Sequence, residues 1–138
     1  MCQRAPPVEL TVALDATLWD EPTTGIGRYG HAVAGALEAS GVRVLRVGAR
    51  RSGELPRKVR SRTLHTLAEL PRILPRSGAS VFHAIANVDL PLLRVSGIPF
   101  VLTVHDLIPL TSPRTVSRAF HWQFRLWLAR SLRVADHV

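Results

Sequence analysis

Apolar and polar positions along this chain follow two alternating periods. Residues 8–14, VELTVAL, form an apolar, strand-like run that ends at Asp15. Residues 28–39, RYGHAVAGALEA, instead place Tyr29, Val33, Ala36 and Leu37 at helical spacing, and Gly41 follows as a C-terminal stop. The segment 42–48, VRVLRVG, alternates and predicts a second strand. A helix is expected near Arg62–Leu70, stopped by Pro71. ASVFHAI (79–85) and PFVLTVHD (99–106) predict a third and a fourth strand. Finally, SRAFHWQFRLWLARSLRVA (117–135) sets Phe120, Phe124, Trp127, Leu128 and Ser131 along one helical face. Strands alternating with helices imply right-handed βαβ units, and therefore an α/β fold: a Rossmann-like parallel sheet with flanking helices.

A length of 138 residues suits one domain with a hydrophobic core, and the whole of 1–138 reads as that domain. Hydrophobic residues at 46% against 20% charged exclude a disordered chain. No apolar run approaches the roughly 18 residues that a membrane-spanning helix needs. The start, MCQRAPPVEL, lacks the charged-then-apolar layout of a signal peptide, and a single cysteine, Cys2, precludes an internal disulfide. Together these predict a cytoplasmic chain.

Charge changes the picture. The formal net charge is +8, and residues 50–77 carry eight basic side chains against Glu54 and Glu69. Such a block suits phosphates, whether of anionic lipid or of nucleic acid, and equally suits a solvated surface. A membrane-peripheral location is compatible with it.

Between the first strand and the first helix lies TTGIGRYG, a literal G-x-G-x-x-G at Gly25, Gly27 and Gly30. In a dinucleotide fold the first glycine follows the strand almost at once. Here Gly25 comes ten residues after Asp15, and the second strand runs into VGARRS where an acidic residue is expected. Arg50 and Arg51 leave an NADP-dependent oxidoreductase as a weaker reading. The glycines can also let backbone N–H groups approach an anion at the helix start, or merely shape a turn. Parallel sheets bind ligands at the carboxyl ends of their strands. Candidate polar features at such ends are the TTGIGR loop, His83 and the pair His105-Asp106. His83 reads as a satisfied strand histidine. Asp106 has a rival role as a cap of the next segment, with His105 bonded to it.

The stretches DATLWDEPTTGIGRYGHAVAGAL, VFHAIANVDLP and VLTVHDLIPL resemble the N-terminal domain of GT-B glycosyltransferases of the retaining family 4 type, and RLWLARSLRVADHV resembles the helix leading to that domain's next strand. The resemblance implies transfer of a sugar from a nucleotide-diphosphate sugar to a glycan or lipid-linked acceptor, with no cofactor and no metal. It places Gly25, Ile26, Gly27 and Arg28 beside the donor diphosphate. It places His105 at the donor sugar near the reacting carbon, with Asp106 orienting that histidine or the loop. Amide donors and cations stabilise the charge of a departing nucleoside diphosphate.

The family carries a second domain that holds most of the nucleotide-sugar pocket and a pair of glutamates separated by seven residues. No such pair occurs among Glu9, Glu21, Glu38, Glu54 and Glu69. On this reading the chain is a fragment, inactive alone: a truncated gene product, an excised piece, or one half of a two-chain enzyme that needs a partner for its C-terminal domain. The alternative function is a basic, non-enzymatic module that binds lipid surface or nucleic acid through 50–77 and 118–133.

Overall fold

The computed structural model describes residues 10–19, 24–48, 66, 69–87, 89–91, 93–95 and 97–138. Four strands, β1 (Thr11–Asp15), β2 (Arg43–Val47), β3 (Val81–Ala84) and β4 (Phe100–Leu102), form one sheet in the order β2-β1-β3-β4, and every pairing is parallel. With helices on both faces, this is a Rossmann-like α/β fold.

β1 is central, and all five of its residues are buried. Val12 lies opposite Val44 on one side and Val81 on the other, so its apolar character is required along its whole length. β2 is an edge strand. Its exposed Arg43 and Arg46 put charge where a bare edge would invite pairing with another chain.

Alternation along the strands divides the core into two layers. Val12 and Leu14 pack with Ala16, Trp19, Ala34 and Ile85 beneath helix α1 (Gly25–Ala39). Ala13, Phe82, Ala84, Phe100 and Leu102 face the other way, onto Leu70, Leu74 and Leu90, with Val134 and Ala135 closing over them. Leu70 opens the short helix α2 (Leu70–Ile73), and Val134 ends the long helix α4 (Arg118–Val134). A second short helix, α3 (Ile108–Thr111), precedes α4.

The helix ends follow from local chemistry. The Thr24 hydroxyl caps α1 by accepting from the Gly27 N–H at 3.1 Å, and Ser117 caps α4 through the Phe120 N–H at 3.2 Å. At the other end of α1 the N–H groups of Gly41 and Val42 return to the carbonyls of Glu38 and Leu37. Gly41 takes φ +79° to do so, the left-handed turn that suits glycine there.

Several boundaries differ from the sequence expectation. α1 begins at Gly25 and not at Arg28, because Thr24 caps it three residues earlier. Pro71 lies in the first turn of α2 and does not end a helix; a proline is tolerated there because that N–H would lack a helical partner anyway. Of the helix expected near Arg62–Leu70, all but Thr66, Glu69 and Leu70 lies outside the described residues. Most of the basic block, 50–65 with 67 and 68, lies outside them too, as do Val8 and Glu9 of the first predicted strand.

The fourth strand spans 100–102 and not 99–106. After the Thr103 N–H donates to the Ala84 carbonyl at 3.0 Å, a side chain takes over from the ladder. The Asn87 amide accepts from the His105 N–H at 2.8 Å and donates to the Asp106 carbonyl at 3.1 Å. On its outer side β4 is joined by His137, which forms a parallel bridge with Val101. Asp136 is fixed there by the Phe100 N–H and by Arg94, and these hold its carboxyl below the usual carboxylate range.

Candidate functional site

The chain passes from β1 to β2 on one side of the sheet and then returns to β3 on the other side of β1. The connections leaving β1 and β3 therefore diverge at the carboxyl edge between these strands. That divergence is where open parallel sheets form a ligand crevice.

From the β1 side comes the start of α1. Gly25, Ile26, Gly27 and Arg28 make its first turn and are not a loop ahead of it. The N–H groups of a first turn have no helical acceptor, and the helix dipole places partial positive charge there. The Gly27 N–H is taken by Thr24, while Gly25 is exposed and a side chain built on it would meet nothing within 4 Å. Arg28 is exposed on the same turn. The third glycine has a different purpose. A Cβ at Gly30 would sit 2.6 Å from Trp19 Nε1 and 2.7 Å from Ile85 Cδ1, so Gly30 is what lets α1 lie close upon the sheet. Trp19 is itself fixed, because its indole N–H donates to the Asp15 carbonyl at 3.0 Å.

From the β3 and β4 side come His83, Thr103, His105 and Asp106. The Thr103 hydroxyl lies 2.8 Å from His83 Nε2 and 3.1 Å from the Tyr29 hydroxyl, so one short chain of polar groups ties β3 and β4 to α1. Burial pushes the His83 imidazole below its ordinary value and favours its neutral form. His83 is thus a bonded strand histidine.

His105 is an exposed residue whose ring is nevertheless held in place. Its Nε2 lies 2.7 Å from the Ile85 carbonyl, which can only accept, so Nε2 carries the proton. With Nε2 as the donor, the other ring nitrogen of that tautomer, Nδ1, is an acceptor. The Tyr29 ring meets the imidazole edge-on, with centroids 4.9 Å apart. Asp106 turns toward the following helix, where its carboxylate accepts from the Ile108 N–H at 3.2 Å. The bonds that orient His105 come from Ile85 and Asn87.

The predicted residues from the two segments therefore share one edge. Tyr29, the neighbour of Arg28, touches His105 directly. Beside this contact opens a cavity of about 520 Å³, with Ile26 and Asp106 both on its wall. The rest of its lining is mostly apolar: Phe120, Phe124 and Trp127 with Ala86, Ile108 and Pro109, while Asn87, Asp89 and Gln123 are among its polar members. The volume lies within the range of small-molecule sites.

Asn87, Thr103 and Gln123 are site residues that periodicity does not reveal. A polar side chain directly after a buried strand, as Asn87 follows HAIA, is the one local signal present. Among the described residues no group of three or more His, Cys, Asp or Glu side chains is arranged to hold a metal ion. No helix among them is long and apolar enough to cross a membrane.

No protein-family model, no curated protein and no solved structure matches the chain. Its class rests on the fold and the edge just described: a parallel α/β protein with a partly aromatic crevice where the strand order reverses.

Proposed function

We propose that the chain is the acceptor-side, N-terminal half of a retaining glycosyltransferase of the GT-B type, acting on a nucleotide-diphosphate sugar. The observation that supports this is the edge contact of Tyr29 with His105, which joins the glycine-started helix to the histidine of VLTVHDLIPL, whose sequence neighbours Ile26 and Asp106 line one cavity. In this reading the first turn of α1 and Arg28 face the diphosphate as it departs and gathers charge. His105 stands at the sugar. Its Nδ1 accepts from a sugar hydroxyl, while Ile85 and Asn87 keep the ring from turning away. The cavity between α1 and α4 receives the acceptor, its aromatic wall against a sugar face and its amides against hydroxyls.

A donor-binding domain completes such an enzyme, so the decisive assay joins residues 1–138 to one, in cis or as a separate chain. In the completed enzyme His105→Ala should lower kcat by about a hundredfold and leave donor KM nearly unchanged, as expected for a contact that strengthens in the transition state. Turnover that survives His105→Ala removes the site assignment. Amide NMR of the isolated chain with inorganic pyrophosphate separates this reading from an oxidoreductase. Shifts confined to Gly25, Ile26 and Arg28 support it. Shifts near Val47 and Gly48, brought on only by a nucleotide with a 2′-phosphate, overturn it.

A further inference from the structure

His83, Thr103 and the hydroxyl of Tyr29 are half-buried polar groups that the sugar-transfer reading does not use, and they lie together between the sheet and α1. The Thr103 hydroxyl stands between two partners, His83 Nε2 at 2.8 Å and the Tyr29 hydroxyl at 3.1 Å. A hydroxyl carries one proton and two lone pairs, so it can serve both at once. Tyr29 extends the series on its other side, because its ring meets the His105 imidazole at 88° with centroids 4.9 Å apart. His83 on β3, Thr103 just past β4, Tyr29 on α1 and the exposed His105 thus form one line of contacts.

The hold on His105 needs this line. Its backbone N–H is taken by Asn87 and its Nε2 by the Ile85 carbonyl. One hydrogen bond fixes one nitrogen and leaves the ring free to rock about that bond. Tyr29 supplies a second restraint, yet a tyrosine tied only at its backbone would itself swing through two side-chain torsions. The bond to Thr103, 74 residues away in sequence, fixes its far end. Thr103 is held in turn by His83, whose backbone is locked in the sheet opposite Leu14 and Val101. Packing alone does not call for these groups. Phenylalanine at 29 and valine at 103 would fill the same space without burying polar atoms.

We propose that His83, Thr103 and Tyr29 are positioning residues that hold the imidazole of His105 in one orientation, acting through their hydrogen bonds and not through bulk. With Nε2 committed to Ile85, the restraint keeps Nδ1 presented on one side for a ligand hydroxyl. A reacting group has to be held to within about 0.5 Å by neighbours that are themselves fixed, and this buttress carries the rigidity of the sheet out to an exposed ring. Its use in sugar transfer rests on the function proposed above; the buttress itself does not.

The test follows the His105 ring by NMR in the full 138-residue chain carrying isotope-labelled histidine. The unaltered chain should show a single tautomer, with the proton on Nε2, and slow exchange of that proton with water. Tyr29→Phe and Thr103→Val should each speed the exchange about fivefold, as the loss of one hydrogen bond allows. Thr103→Ser keeps the hydroxyl and should match the unaltered chain. Combining Tyr29→Phe with Thr103→Val should do no more than either alone, because both cut the same line. His83→Phe, one bond further from the ring, should speed exchange about twofold. Ser117→Ala, which weakens the distant cap of α4, should leave the ring unaffected and so controls for a general loss of stability. Unchanged exchange in Tyr29→Phe and Thr103→Val overturns the proposal, as does an equal response to Ser117→Ala. In the completed enzyme Tyr29→Phe should lower kcat about fivefold at constant donor KM. Faster exchange with turnover untouched leaves the buttress standing and removes sugar transfer as its use, so the two readings fail separately.

Discussion

The two long helices of this protein lie against the same sheet, yet they meet it through opposite kinds of residue. α1 approaches through the absence of a side chain: Gly30 leaves room for Trp19 and Ile85, and the helix sits low enough for Tyr29 to reach Thr103 and His105. α4 instead buries the bulky side chains Phe124 and Leu128, and of this helix Val134, its last residue, joins the core under β4. The close helix brings its end to the crevice, and its chemistry is in its first turn. The second long helix lends one edge, Phe124 and Trp127, to the cavity and leaves a broad outer face to solvent. What a helix packs through decides whether its terminus or its flank is available for function.

Phe124→Ala should be the most damaging way to break this contrast. It removes the largest buried side chain of α4 and opens the crevice wall, at a cost of about 3–5 kcal/mol read from urea unfolding. If the loss is below about 1 kcal/mol, α4 is not anchored as described. Gly30→Ala tests the close helix. Alanine gains up to about 1 kcal/mol of helix propensity, but the contacts its Cβ would make cost about 1–3 kcal/mol, because Trp19 is bonded to Asp15 and Ile85 is buried. The net should be destabilising, and the His105 ring resonance should shift as Tyr29 moves. A stabilised Gly30→Ala would show that α1 rides higher than described.

The caps give the finest comparison. Thr24→Ala and Ser117→Ala should each cost about 1 kcal/mol, since each removes one acceptor from a first-turn N–H. Their consequences should then diverge. Thr24→Ala should change the pyrophosphate response of the Gly25 and Ile26 amides, whereas Ser117→Ala should leave it untouched. Equal effects on that response would remove the distinction between the two termini.

Much of the fold could be read from short-range pattern. The four strands, both long helices and the stop at Gly41 follow from spacing and from single residues, because backbone hydrogen bonding and amphipathicity act within a few positions. The candidate residues at the crevice were legible for the same reason: glycines before a helix and a polar pair after an apolar run are local signals. The tertiary structure decided the rest. The fourth strand stops at Leu102 because Asn87, 18 residues before His105, supplies the bonds that a ladder would have made. Asp106 accepts from the Ile108 N–H at the start of α3, and Ile85, 20 residues away, holds His105. Gly30 reads in sequence as one more glycine of a phosphate motif, and only the meeting of α1 with Trp19 and Ile85 shows it to be a packing contact. The reversal of strand order between β1 and β3, which makes the crevice, is a choice among pairings of distant segments, and hydrophobic period does not encode which strands become neighbours.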